Sequence, residues 1–226
     1  MCIRDSYTHF AVSDEPDADS ERYTHQQFDL FCRMIDAVAR RGGVTFAIRH
    51  CANTGAVVHY PEMALDMVRP GLLLYGYGDD TGRFGLRPCM RLVTTISTIK
   101  TYEPDTCVSY GRRFRTQRRT RMAVLGIGYA DGLFRTLSGK CSFAVAGHKA
   151  PQCGSICMDM CMVDLTDLPE VKVGDTVEIF GQTQSVDSLA AILNTIPYEL
   201  TCAVSKRVPR LYMENGKEIE RSLRLL

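Results

Sequence analysis

The sequence predicts an α/β segment joined to an all-β segment. Three observations carry that prediction: short β-branched runs alternate with a helical repeat over residues 7–75, a glycine-rich loop closes the stretch at Gly76–Gly85, and strand-like runs separated by turn residues fill most of the remainder. Tyr7–Val12 (YTHFAV) reads as the first strand and gives way to a loop at Ser13, Asp14 and Glu15. Thr24 and Gln27 have capping-box spacing, Phe28, Phe31, Ile35 and Val38 recur at helical intervals, and Gly42–Gly43 supplies a stop. Thr45–Ile48 reads as a second strand, residues 61–67 as a short helix, and Val68–Tyr75 as a third strand interrupted near its start by Pro70 and Gly71. An order of β-α-β-α-β calls for a mainly parallel sheet with helices on its faces, and three strands cannot close a barrel.

Beyond the loop, Leu92–Ile99, Thr106–Tyr110, Met122–Gly128, Cys141–Ala146, Met158–Leu165 and Thr176–Phe180 read as strands. Ser185 or Asp187 can cap a short helix over Leu189–Leu193, and strands around Val208–Tyr212 with a Glu214-Asn215-Gly216 hairpin follow. The boundary between the halves falls near residue 85, and neither a repeat nor a low-complexity tract is present.

The 226 residues are 45% hydrophobic and 23% charged, an ordinary globular composition. Lys+Arg 27 against Asp+Glu 26 leaves a net charge of +1, which excludes a basic field for nucleic acid. The longest apolar stretches, Gly71–Tyr75 and Met122–Ile127, fall far short of the ~20 residues of a membrane span. Ten cysteines scattered through apolar segments, with no signal peptide, fit a reducing cytoplasm. Cys153, Cys157 and Cys161 repeat every four residues, which is not the spacing of a zinc or iron–sulfur motif. Positions four apart share a face of a strand, so these cysteines are expected as small core residues, with no metal.

Candidate chemistry clusters at strand ends: His9, His50-Cys51-Ala52-Asn53-Thr54-Gly55, and Arg69-Pro70-Gly71. Ligands of α/β sheets sit at the carboxyl ends of the strands, although each His serves equally well as a strand cap and a lone Arg69 as a surface cation. Asn53-Thr54-Gly55 supplies an amide, a hydroxyl and a permissive backbone suited to a phosphate, and is also ordinary turn chemistry. Tyr110 and Tyr129 close β segments, and a phenol, with its pKa near ~10, acts as a base only where cations or hydrogen bonds stabilise the phenolate.

Taken together, YTHFAVSDE, HCANTG, MALDMVRPGLLLYG, VSYGRRF, GIGYADGLFR, GSICMDM, TIPYEL and SKRVPR resemble, in order from Tyr7 to about Tyr212, the signature segments of alanine racemase. That family uses pyridoxal 5'-phosphate and joins an N-terminal (β/α)₈ barrel to a C-terminal β domain. The resemblance implies that residues 1–84 are about the last three β/α units of the barrel and that 85–226 are the β domain. It implies Arg69 facing the pyridine nitrogen, His50 supporting Arg69, and Asn53, Thr54, the backbone of Gly71–Leu72 and the Tyr198 hydroxyl around the phosphate. Tyr110 would be the catalytic tyrosine, supplied by the partner subunit of a homodimer, with His9 hydrogen-bonded to it. Met158 and Asp159 would receive the carboxylate of L- or D-alanine, and Tyr129 and Asp14 would line the entrance.

Three departures stand out. Ser155 replaces an entrance arginine of some members, and Pro197 precedes Tyr198 where other residues are common. No segment resembles the barrel strand that carries the cofactor's Schiff-base lysine. Residues 1–6 (MCIRDS) fit neither the family nor a strand lead-in and are expected to be foreign, and with the lysine strand missing the chain is expected to be a C-terminal fragment, inactive by itself. The implied function is L-/D-alanine interconversion supplying D-alanine for peptidoglycan. The alternatives are a related racemase of serine or another amino acid, and a non-catalytic β-domain remnant.

Overall fold

The computed structural model describes residues 4–78, 82–168 and 170–223, so residues 1–3 and the part of the glycine-rich loop at 79–81 lie outside the described residues. The chain divides into two compact units, Met1–Cys89 and Met90–Leu226. Among the described residues no helix is long and apolar enough to cross a membrane.

In the first unit, β1 (Asp5–Tyr7) pairs parallel with β2 (Ile48–His50), in the register Asp5 with Ile48 and Tyr7 with His50. The crossover between them is α1 (Ala18–Gly42). The strand therefore opens at Asp5, inside the segment set apart as unlike the family, and ends at the tyrosine where the aromatic run begins. Residues 8–16 form the loop that follows β1. Helix α1 starts well before Thr24, because Asp17 caps it by accepting from the N–H groups of Asp19 and Ser20. Thr24 instead lies within the helix and donates to the Ser20 carbonyl, while the Gln27 amide reaches back to the Thr8 hydroxyl and the His9 carbonyl. Gly43, at φ 64°, ends the helix in the left-handed region that glycine adopts without penalty. The buried face of α1, centred on Phe31 with Phe28 and Ile35 beside it, packs on Phe10, Cys51, Ala52, Ala56, Tyr60 and Met63.

Of the short helix expected at 61–67 only a 3₁₀ turn at Pro61–Met63 forms, and the helix of this stretch, α2 (Thr54–His59), comes before it. The third strand expected at Val68–Tyr75 is absent: Gly71–Tyr75 is a 3₁₀ helix. Pro70 has no N–H to give a sheet, and its carbonyl instead accepts from Leu73 as the chain coils. A run such as Leu72-Leu73-Leu74 carries no periodicity that separates strand from helix, and here only Leu72 is buried.

The second unit is built on a closed antiparallel barrel of six strands: β3 (Leu92–Tyr102), β6 (Thr120–Leu125), β7 (Ser142–Val145), β8 (His148–Cys153), β9 (Cys161–Asp164) and β10 (Thr176–Phe180), in the order β10-β3-β6-β9-β8-β7. Its interior holds Ile96, Leu125, Phe143, Val163, Val177 and Ile179, while Met122 lies on the other face of β6, clustered with Cys153 and Met162. Closure leaves no free edge on these strands. Strand β8 carries Pro151, which hides it from a sequence reading. Cys153 ends β8 and Cys161 begins β9, so the three regularly spaced cysteines do not share one strand; Cys157 lies in the connection. Every cysteine among the described residues is free, and burial pushes the Cys141 and Cys153 thiols up to about 12. They behave as small apolar groups.

Between β3 and β6, β4 (Cys107–Val108) and β5 (Phe114–Arg115) form a small ribbon whose tip is a 3₁₀ turn at Tyr110–Arg112. The strand expected over Thr106–Tyr110 thus stops before Tyr110, because Ser109 has a positive φ of 70° that breaks the pleat. The strand expected from Met158 begins at Cys161, since the Cys157 N–H donates to the Met160 carbonyl and makes 157–160 a turn. Ser185, rather than Asp187, caps α3 (Val186–Leu193). α4 (Pro197–Ala203), unanticipated from the sequence, has Pro197 in its first turn, where a missing N–H costs nothing. The hairpin around Asn215–Gly216 joins β11 (Arg210–Glu214) to β12 (Lys217–Ser222) as expected.

Glu178 is the barrel's buried acid. Burial drives its carboxyl up, but the backbone N–H groups of Gln184 and Thr183 (3.0 and 2.6 Å) and the Arg91 guanidinium (3.1 Å) outweigh that and hold it below the ordinary carboxylate value. A carboxyl lowered by folding contributes stability above its unfolded pKa of about 4.3, and that contribution is lost as the pH falls through the folded value. Glu178→Gln is therefore expected to flatten the fall in urea midpoint between about pH 6 and about pH 3; an unchanged pH slope would contradict this role.

Candidate active site

Two clusters gather the residues singled out above, one in each unit. In the first, Arg69 lies across the carboxyl ends of β1 and β2. Its Nη2 donates to the carbonyls of Thr8 (3.0 Å) and Cys51 (3.4 Å) and to His9 Nδ1 (3.3 Å), and its Nη1 donates to His50 Nδ1. A guanidinium cannot accept a hydrogen bond, so both imidazoles must present a lone pair at Nδ1 and carry their proton on Nε2. His50 Nε2–H then donates to the Asp5 carboxylate at 3.2 Å, and His9 Nε2–H is left without an acceptor among the described residues. His50 is buried, and its other face is covered by the Tyr7 ring, stacked at 5.3 Å with the rings 7° apart; the same ring lies 5.6 Å beneath the Arg69 guanidinium. Four neutral acceptors and an aromatic face thus hold a permanent cation in place.

Asn53 ties two segments of the first unit together. Its Oδ1 caps α2 by accepting from Ala56 N–H and also accepts from the Ser13 hydroxyl (2.7 Å), which binds the loop after β1 to the start of α2. Gly55 is required beneath that loop, since a Cβ there would stand 2.9 Å from the backbone of Ser13 and Asp14. Thr54 and Leu72 meet at Gly78, whose φ is +79° and whose added Cβ would lie 3.0 Å from the Thr54 methyl. Gly71 and Leu72 begin the 3₁₀ helix two residues after Arg69. Asp14 is exposed on the loop and joins neither cluster.

In the second unit, Tyr110 stands at the tip of the β4–β5 ribbon with 73% of its surface exposed. Ser109, Gly111 and Arg112 around it all have positive φ. For Ser109 and Arg112 that is strain of about 1–3 kcal/mol each, which the surroundings must hold. They do so through Ser155: the Ser109 hydroxyl donates to the Ser155 carbonyl (3.0 Å) and accepts from its N–H (2.9 Å), and the Ser155 hydroxyl donates to the Tyr110 carbonyl (3.3 Å). Ser155 is buried and anchors the tyrosine's backbone.

Tyr129 and Met158 are joined. The N–H groups of Tyr129 and Ala130 donate to the carbonyls of Cys157 and Met158, both at 3.0 Å. Gly128 allows that approach, because a Cβ there would come within 2.3 Å of both oxygens. The Met158 N–H meets no acceptor among the described residues. Asp159, beside it, is paired with Arg207 at 2.7 Å, and Arg207 also pairs with Asp131 at 2.7 Å. These two carboxylates hold the Arg207 guanidinium above its ordinary value. Tyr198 lies in the first turn of α4, partly exposed.

Asp5, Tyr7 and Arg207 escaped the sequence reading as functional candidates. Asp5 lies in the segment judged foreign, and Arg207 is one of several cations in SKRVPR that nothing local distinguishes. Among the described residues no group of three or more His, Cys, Asp or Glu could hold a metal ion.

Residues 89–212, more than half of the chain, match the family model for the alanine racemase C-terminal domain. The chain belongs to the alanine racemase family. Residues 2–79 match the model for the alanine racemase N-terminal domain, so the first unit derives from the TIM-barrel domain of that fold and the second from its β domain. Alanine racemase 1 of Clostridium acetobutylicum is 41% identical over 97% of this chain, and the alanine racemase of Desulfovibrio desulfuricans is 45% identical over 92% of it. The chain spans 58% of the former protein and 56% of the latter. The alanine racemase of Clostridium difficile 630 in complex with cycloserine superposes with a TM-score of 0.90 and 37% identity, over 99% of this chain and 60% of that one. The alanine racemase of Bacillus anthracis with bound L-Ala-P gives a TM-score of 0.84 and 30% identity, over 96% and 57% of the respective chains.

Proposed function

We propose that this chain belongs to a pyridoxal 5'-phosphate-dependent racemase that interconverts L- and D-alanine in the cytoplasm and so supplies D-alanine for peptidoglycan. It would act as a homodimer, each site combining the β/α unit of one subunit with the β domain of its partner. The observation that carries this reading is Arg69, a fixed cation at the strand ends, held by neutral acceptors and two tautomer-locked imidazoles. Residues 1–84 would be the last β/α units of a (β/α)₈ barrel, since two parallel strands leave a barrel open.

The donor set fits pyridoxal phosphate. Arg69 offers a permanent charge and hydrogen-bond donors, which suit an unprotonated pyridine nitrogen. Thr54, the backbone of Gly71–Leu72, Asn53 and Tyr198 would hold the phosphate. When bound, the cofactor supplies an electron-withdrawing ring that acidifies the α-hydrogen of the amino acid. The Tyr110 hydroxyl would take or return that hydrogen at Cα on one face, helped by the His9 Nε2–H, which would donate to the phenol oxygen. The Met158 N–H would receive the substrate carboxylate, with Asp159 beside it, and Tyr129 and Asp14 would narrow the entrance to a small side chain. Lys100, Lys140, Lys149, Lys172, Lys206 and Lys217 all lie beyond the first unit, so that unit offers the cofactor no amine of its own.

The test is α-hydrogen exchange in D₂O. The complete subunit containing this sequence, loaded with cofactor, is expected to interconvert alanine enantiomers with deuterium uptake and to prefer alanine to serine. The 226-residue chain alone should do neither and should trap no cofactor on its lysines under borohydride. Racemisation of serine faster than alanine, or robust turnover by the chain alone, would contradict this reading.

A further inference from the structure

We infer that Arg207 is a positioning residue for the substrate carboxylate: it clamps the Met158 turn to the Tyr129 turn and offsets one of the two negative charges of Asp131 and Asp159. This rests on the function proposed above. The guanidinium spans two carboxylates from different segments, Nε to Asp131 Oδ1 and Nη2 to Asp159 Oδ1, both at 2.7 Å. Each carboxylate belongs to a segment already bonded to the other. Asp131 Oδ2 accepts from Gly128 N–H (2.9 Å), and its carbonyl accepts from Ser205 N–H (3.1 Å), two residues before Arg207. Tyr129 and Ala130, between Gly128 and Asp131, donate to Cys157 and Met158. Segments 128–131, 157–159 and 205–207 therefore form one closed network with Arg207 as the single cation spanning both acids.

Two physical consequences follow. The network fixes the direction of the Met158 N–H, whose own carbonyl is held by Ala130 and which itself meets no acceptor among the described residues. The second consequence is electrostatic. An anionic substrate group arriving at that N–H meets Asp159 one residue away, and without Arg207 neither acid beside it has a cation; like charges in close quarters cost binding. Lysine at 207 could keep the charge but, lacking the fork of a guanidinium, would satisfy only one carboxylate at a time.

The experiment has two arms. In the 226-residue chain, amide hydrogen exchange at Tyr129 and Ala130 is expected to quicken at least tenfold in Arg207→Met, with the amides of β3 and β6 unchanged; unaltered exchange at 129–130 would overturn the clamp. In the complete racemase, Arg207→Met should raise the KM for alanine about tenfold or more with a much smaller change in kcat, and added salt should lower that KM by screening Asp131 and Asp159. Arg207→Met combined with Asp159→Asn should recover most of the KM loss, and Arg207→Lys should fall between. A merely structural role would lower kcat and KM effects together, without salt dependence or rescue by Asp159→Asn, and that result would overturn the inference. Absence of alanine turnover in the unmutated enzyme would overturn the functional reading instead, and the exchange arm would still decide the clamp.

Discussion

Tyr110→Phe in the complete racemase is expected to lower turnover by about 10²–10⁴-fold, the usual contribution of a positioned acid–base group. The substitution removes one oxygen from a side chain that is mostly exposed on its own unit, so stability should stay within about 0.5 kcal/mol of the parent. Two enantiomers have equal free energy, so the overall rates in the two directions must fall together. The asymmetry shows elsewhere: in D₂O one enantiomer should still exchange its α-hydrogen through the base on the opposite face, while the other should not. Equal loss of exchange from both enantiomers would contradict a one-face role for Tyr110.

The second large effect is expected at Arg69. Arg69→Glu removes the donors that His50 Nδ1, the Thr8 and Cys51 carbonyls and His9 Nδ1 now share, and places a carboxylate among them. Removing one preorganised donor from a reaction site costs about 10²–10³ in rate, and reversing its charge should cost at least that. The readout beyond rate is optical. A carboxylate opposite the ring nitrogen favours its protonation, which deepens the cofactor's electron sink, so a new long-wavelength absorption band should appear during turnover. An unchanged spectrum would count against Arg69 facing the ring nitrogen. Arg69→Lys keeps the charge but cannot bridge both strand ends, and should lie between the two.

Much of this site was legible in the sequence because its chemistry sits in compact local segments. HCANTG put His50 at the end of a strand and Asn53 at a helix start, and both are there. Helix α1 was legible from the spacing of Phe28, Phe31 and Ile35, although its start was misread because Thr24 and Gln27 mimic a cap while Asp17 does the capping. Other features were illegible for physical reasons. The Leu72-Leu73-Leu74 run has no period, so only Pro70 hinted that it would coil. Closure of the six-strand barrel is a long-range pairing of β10 with β3 and β7, which local pattern does not encode. The Ser109–Ser155 lock and the Arg207 bridge join residues 46 to 76 positions apart, and Asp5 acts from a stretch with no pattern of its own.

If one site needs Tyr110 from one subunit and Arg69 from its partner, mixing the two variants above should restore activity. Tyr110→Phe and Arg69→Glu homodimers should each be nearly inactive. When the subunits are dissociated and reassociated in equal amounts, half of the dimers are mixed, and each mixed dimer holds one site with both native residues. About a quarter of parental activity should return, because that intact site exists only if the residues come from different chains. Activity that stays at the level of the separate variants after demonstrated exchange of subunits would place both residues in one chain's site and rule out a shared one.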